Sequence, residues 1–125
     1  MKRLLSVVEL GGYPNFTPLY QRHGYTVDAV ASVRKATAQI RKTMPDVVVA
    51  EFNFQSDFRD RTSSLETLLA TLERFGGARS IVFYDQEYAH QLERLTARFP
   101  IDHLLPFPVA EADVGAALEA IAAGG

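Results

Sequence analysis

Three acidic residues stand directly after apolar runs of the sequence, where a carboxylate could do chemistry. They are Glu9, Glu51 and Asp85. If the fold brings them together, they could bind a divalent cation, or their repulsion could raise the pKa of one and keep it protonated. Mg²⁺ demands strictly placed oxygen ligands, and this set does not supply them. We therefore expect no bound metal.

Other residue types that carry chemistry lack the patterns of known sites. His23, His90 and His103 are far apart without metal-ligand spacing, and the chain has no cysteine. No serine stands in a G-x-S-x-G motif, and Gly11-Gly12 belongs to no G-x-G-x-x-G or G-K-[ST] motif. These observations predict a protein that is not an enzyme and that has no cofactor.

Length and composition favour one domain with a real core. The chain has 125 residues, of which 47% are hydrophobic, and a formal charge of −2. Such a small net charge favours neither nucleic acid nor an acidic membrane surface as a partner. The start MKRLLSVVEL is too short in apolar residues for a signal peptide or a membrane span, so we expect a cytoplasmic protein.

Apolar runs alternate with helix signals along the chain. Runs of strand length span Leu4–Val8, Tyr25–Ala31, Val47–Ala50, Ile81–Tyr84 and Ile101–Phe107. Helix caps or stops are found at Thr17-Pro18, Gly24, Ser32, Pro45, Ser63, Gly76-Gly77, Asp85, Pro100 and Gly124-Gly125. Between them, apolar residues recur at helical spacing in stripes such as Val33, Ala36, Ile40 and Met44 or Leu65, Leu68, Leu69 and Leu72.

This alternation predicts an α/β fold. Each connection between parallel strands needs a crossover, which here is a helix. The expected architecture is a flavodoxin-like, doubly wound, five-stranded parallel sheet with helices on both faces, formed by a single domain over residues 1–125. Ligands of such folds bind at the carboxyl ends of the strands. That edge would carry Glu9, Glu51, Asp85 and Phe107.

Three short stretches, together with the order of elements, carry a resemblance to a known family. GYTV at 24–27 is similar to the G-Y-x-V that enters strand two, and PDVVVAE at 45–51 to the P-D-hydrophobic-D of strand three. FPV at 107–109 is similar to the K-P turn after strand five. Over essentially all of its length, the chain resembles the receiver domains of two-component response regulators, which have the CheY-like fold.

The resemblance implies a phosphorylation chemistry that this sequence departs from. In receivers, an Asp ending strand three accepts a phosphoryl group, acidic residues after strand one hold Mg²⁺, a Ser or Thr ends strand four, and a Lys precedes the proline after strand five. The metal and the lysine neutralise transition-state charge. The matching positions here hold Glu51, Glu9 beside Leu10, Tyr84 or Asp85, and Phe107 or Pro106. We therefore expect a degenerate receiver, or pseudo-receiver, without phosphotransfer.

Glu51 itself has two interpretations. It is either the solvated end of a strand or an imitation of a phosphorylated Asp that holds the surface in one state. The sequence does not choose between them.

The segment 52–61 is long for a connecting loop and carries aromatic residues. Phe52 and Phe54 are expected to pack beneath it, whereas Phe58 is the candidate for an exposed anchor to a partner. Arg59 and Arg61 are further contact candidates. Neighbouring aspartates offset their charge, which disfavours stacking on nucleic acid.

A second candidate surface follows from the resemblance, because receivers commonly signal through the fourth helix, fifth strand and fifth helix. The residues concerned are Tyr84, Tyr88, His103, Leu105 and Phe107. Tyr84 and Phe107 could lock this face by packing, or both could be ordinary core residues.

Two classes of function remain open. The first is a phosphorylation-independent regulatory module that binds another protein or a second copy of itself. The second is a flavodoxin-like domain that binds a small ligand or performs catalysis with its acidic strand ends.

Overall fold

The computed structural model describes residues 2–7, 16–52 and 65–124. Within these ranges the chain forms five strands, β1 Lys2–Val7, β2 Tyr25–Val30, β3 Val47–Glu51, β4 Arg79–Tyr84 and β5 His103–Pro106. All pair in parallel, in the order β2-β1-β3-β4-β5. The predicted doubly wound parallel sheet is therefore confirmed.

Five α-helices connect or follow the strands in the described part of the chain. They are α1 Thr17–Arg22, α2 Val33–Lys42, α3 Leu65–Arg74, α4 Ala89–Thr96 and α5 Glu111–Ala122. A 3₁₀ turn, Gln86–Tyr88, precedes α4. None of the helices described is long and apolar enough to cross a membrane.

Helices cover both faces of the sheet because strand side chains alternate between two core clusters. Val48 and Ala50 of β3 pack with the apolar stripes of α2, α3 and α4. Val47 and Val49 pack with α1 and α5 on the other face. A strand buried on both sides has no polar alternation, which explains the uninterrupted apolar run of β3.

Local signals at the start of α2 act as predicted. Ser32 has extended backbone angles, and its hydroxyl oxygen accepts a hydrogen bond of 3.1 Å from the Lys35 N–H. This bond satisfies one of the free N–H groups of the first helical turn. Val33, Ala36 and Ile40 then face the core.

The predicted cap of α1 is wrong by one residue. The helix includes Thr17, and the N-cap is Phe16, whose side chain makes no capping hydrogen bond. Phe16 is buried instead, with its ring edge-on to Phe83 at a centroid separation of 5.8 Å. The ring of Phe16 therefore packs in the core at the point where α1 begins.

The fifth strand starts at His103, two residues later than predicted. Asp102 is the reason, because its side chain takes part in the pairing of the strand starts. Its carboxylate accepts a hydrogen bond of 2.8 Å from the Ser80 N–H, and its own N–H donates to the Ser80 hydroxyl at 3.3 Å. The same carboxylate pairs with Arg79 Nε at 2.8 Å.

Buried tyrosines make the fold sensitive to alkali. Burial raises the pKa of Tyr20 above its ordinary value, and burial followed by the Asp46 carboxylate raises the pKa of Tyr25. The unfolded chain loses these protons from about pH 10, whereas the folded chain keeps them to higher pH. The contribution of these two tyrosines to the free energy of unfolding is therefore fully present below about pH 10, and it falls as the pH rises above that value.

We expect Tyr20→Phe to flatten this decline. Urea unfolding of both proteins at several pH values between neutrality and strong alkali measures the slope of the unfolding free energy. Tyr25 remains in the variant and should retain part of the dependence. Equal slopes for the two proteins would show that Tyr20 does not contribute.

Candidate functional site

The carboxyl edge of the sheet brings three of the predicted site positions onto neighbouring strands. Glu51 ends β3 and lies in register with Phe83 of β4. The backbone continues the pairing beyond the strands, since the Phe52 N–H donates to the Phe83 carbonyl at 2.8 Å and the Phe107 N–H to the Tyr84 carbonyl at 2.7 Å. Glu51, Tyr84 and Phe107 therefore meet at one edge.

Glu51 is buried, with 8% of its surface exposed. The interpretation of this residue as a solvated strand end is therefore wrong. By alternation along β3, its side chain lies on the face that α1 and α5 cover. A carboxylate in such a position is costly unless it has partners, and Glu51 does take part in an interaction. Phe52, the next residue, is buried as predicted and joins the opposite core cluster.

Asp85 serves a local structural role. Its carboxylate accepts a hydrogen bond of 3.0 Å from the Glu87 N–H and so caps the 3₁₀ turn before α4. The predicted cap is confirmed, although the first turn is 3₁₀ rather than α. Asp85 is exposed whereas Glu51 is buried, so the two carboxylates have different surroundings.

The third acidic candidate, Glu9, lies outside the described residues. Within those ranges, no group of three metal-ligating side chains is found. That Glu9 shares an acidic pocket with Glu51 and Asp85 therefore remains a prediction.

The position that precedes the proline after β5 belongs to Phe107. Since β5 ends at Pro106, Phe107 is the residue directly before Pro108, to which it is joined by a cis peptide bond. Its side chain is 43% exposed and belongs to neither core cluster, so its interpretation as an ordinary core residue is wrong. Of the two aromatic residues considered as a lock, Tyr84 alone packs against a cluster.

The remaining residues of the predicted signalling face are half-buried. Tyr88 packs against the same cluster as Tyr84, Leu105 packs against the opposite one, and His103 begins the strand. Their positions leave the predicted face partly accessible along β5, which is an edge of the sheet.

Sequence reasoning missed Leu104, which is 38% exposed on β5. It lies in register with buried Val82, yet β5 has a neighbouring strand on one side only. Together with Phe107, it adds exposed apolar surface to this edge. Alternation with Leu105 is the sequence signal that separates the two leucines.

The loop candidates Phe58, Arg59 and Arg61 lie outside the described residues. Their proposed contacts stay predictions.

Comparison with known proteins identifies the fold. No family model matches the sequence, and no curated protein matches it. Among solved structures, the inactive regulatory domain of the repressor of iron transport regulator RitR is 19% identical, with a TM-score of 0.77 over 100% of this chain and 98% of that one. A response regulator receiver domain from Clostridium thermocellum is 14% identical, with a TM-score of 0.76 over 96% and 93% of the two chains.

A third similar structure belongs to a larger protein. It is described as one of a family of streptococcal redox sensors that evolved from two-component response regulators, and it is 21% identical with a TM-score of 0.80. The match covers 99% of this chain and 52% of that one, so the present chain spans about half of that sensor. The chain therefore has the fold of response-regulator receiver domains.

Proposed function

We propose that this chain is a phosphorylation-independent regulatory module that acts by binding another protein or a second copy of itself. The observation that carries the proposal is Phe107, which stands where the receiver pattern has a lysine. In this proposal the chain is a cytoplasmic signalling component without catalysis or a cofactor. Its similarity to receiver domains supports a regulatory role.

The chemistry of phosphoryl transfer argues for the loss of that activity. Negative charge spreads over the transferred group, and catalysis consists mainly of positioning and neutralising it. Phe107 offers an apolar ring where a cation would do this. Glu51 extends one methylene further than Asp, and small displacements of a reacting group are costly. The position of the small alcohol in the receiver pattern matches Tyr84 or Asp85, and neither residue is a small alcohol.

Apolar surface at the same edge supports an interaction role. Leu104 and Phe107 are two of the three exposed large hydrophobic residues of the described chain, and both are at or just after the edge strand β5. Exposed aromatic rings beside unpaired strand edges are common contact points for partners. Tyr88, His103 and Leu105 complete this proposed face.

Incubation with a small phosphodonor and Mg²⁺ tests the proposal. We expect intact-protein mass spectrometry to detect no added phosphoryl group, while a phosphorylatable receiver domain treated in parallel is modified. A stable adduct on any Asp or on Glu51 would overturn the proposal.

The same preparation also discriminates the second class of function. Native mass spectrometry of the purified protein should reveal no small molecule carried through purification. A bound metabolite, or turnover that depends on Glu51, would favour the ligand-binding alternative.

Loss of a captured partner in Phe107→Ala, with the fold intact by circular dichroism, is the result expected for the proposed face.

A further inference from the structure

The end of α3 is capped by two glycines, Gly76 and Gly77. The Gly77 N–H donates to the Leu72 carbonyl at 2.6 Å, and Gly76 has a φ of 110°. This is the bonding pattern of a Schellman cap, in which the left-handed residue is normally glycine. The residue at the position of Gly77 often packs an apolar side chain on the last helical turn. Glycine has none, so Gly77 adds no apolar side chain over Leu72, although Leu72 itself is buried in the core.

A cavity of about 270 Å³ opens at this point. Its walls are largely apolar and include Leu69 and Leu72 of α3 together with Phe99 and Pro100, which follow α4. An apolar cavity of about 150 Å³ is enough to admit a benzene ring. The cavity therefore has room for an aromatic side chain. Ser80, near the start of β4, also lines the cavity. The cavity is therefore at the amino-terminal ends of the strands, opposite the carboxyl ends where Glu51 lies.

An exposed aromatic residue stands beside the cavity. Phe75 directly follows α3 and is 44% exposed, and the Arg74 guanidinium lies 5.8 Å from the centre of its ring. Glu73, which precedes this pair, lines the cavity. Neither Glu73 nor Arg74 belongs to any ion pair formed between described residues. One small surface thus carries the Phe75 ring with the Arg74 guanidinium. Next to them is the apolar cavity with the Glu73 carboxylate.

We propose that two copies of the chain associate through this surface, with Phe75 of each copy in the cavity of the other and each Arg74 facing the opposite Glu73. A two-fold interface requires one patch to be complementary to itself. The Phe75 ring beside the cavity, and Arg74 beside Glu73, meet that requirement. Burial of an aromatic ring beside an arginine is the composition typical of interface hot spots. The contact does not depend on the loss of phosphotransfer. Its lining residue Ser80 is near the start of β4, whereas Phe107 bonds to Tyr84 at the end of that strand.

Charge reversal provides the test, read by sedimentation equilibrium over a range of protein concentrations. We expect the wild-type chain to dimerise, and Glu73→Arg and Arg74→Glu each to weaken dimerisation by about tenfold or more, because each creates two like-charge contacts. The double variant should regain affinity. A mixture of the two single variants should form a heterodimer, since both cross-contacts then join opposite charges.

Further variants separate this contact from other causes. Phe75→Ala should also weaken dimerisation, whereas Glu119→Arg and Arg34→Glu, which change exposed charges on α5 and α2 by the same amounts, should not. Circular dichroism verifies that each variant is folded. A wild-type chain that stays monomeric overturns the inference, as does a dimer that survives both single reversals at Glu73 and Arg74.

Two other outcomes would replace the inference with a different one. A dimer lost in Phe107→Ala but kept in Phe75→Ala would contradict it while supporting the face proposed at β5. A small apolar molecule found in the cavity would identify a ligand pocket instead. Failure of this inference leaves the phosphodonor result, and so the proposed function, unaffected.

Discussion

Replacing Leu118 by alanine is expected to lower the free energy of unfolding by about 2–5 kcal/mol. Leu118 lies on α5 with 0% of its surface exposed, in the core cluster that joins α5 and α1 to the sheet. Truncation removes apolar burial and leaves a cavity that the surrounding side chains fill only in part. Domains of this size are stable by only about 5–15 kcal/mol, so the loss is a large part of the total.

Urea unfolding followed by circular dichroism measures this effect as a shift of the midpoint. Leu104→Ala is the matched control, because it is the same chemical change at a leucine that is 38% exposed. We expect a clearly smaller cost, since 38% of its surface is already in contact with water whereas Leu118 has none exposed. Similar shifts for the two variants would contradict the assignment of Leu118 to the core.

Replacing Asp102 by alanine is expected to cost about 1–3 kcal/mol, the second largest effect. The Asp102 carboxylate accepts a hydrogen bond from the buried Ser80 N–H and from Arg79 Nε. Alanine leaves the N–H of Ser80, a residue with 3% of its surface exposed, without this acceptor, and an unsatisfied buried donor has a desolvation cost. The starts of β4 and β5 should loosen together.

Asp102→Asn separates the hydrogen bond from the charge. An amide oxygen can still accept from the Ser80 N–H, while the ion pair with Arg79 is lost. That pair is partly exposed, so its loss should contribute little. Thermal or urea unfolding should therefore rank asparagine between the wild type and alanine, nearer to the wild type. If asparagine destabilises as much as alanine, the ion pair rather than the N–H bond holds the strands.

Much of the fold could be predicted because its signals are local. The cap at Ser32 involves a residue three positions away, and the apolar stripe of α3 repeats within single turns. Periodicity of this kind needs no knowledge of distant contacts. The order of strands and helices along the chain follows from the same patterns, and with it the parallel sheet.

The candidate site could be predicted in position but not in environment. The sequence identified Glu51 and Phe107 as residues at the carboxyl edge, because both follow apolar runs. It did not reveal that Glu51 is buried or that Phe107 is exposed. Burial depends on what lies over each strand end, and those groups come from distant parts of the chain.

The sequence by itself determined the succession of elements and placed Glu51, Tyr84 and Phe107 at or near strand ends. Only the tertiary structure decided that β5 is an edge, which exposes Leu104, and that Phe99 and Pro100 complete a cavity beside Gly77. The physical reason is the separation along the sequence over which each kind of interaction acts. Propensity and periodicity act between residues a few positions apart, whereas edges, burial and cavities arise where segments far apart in sequence pack together.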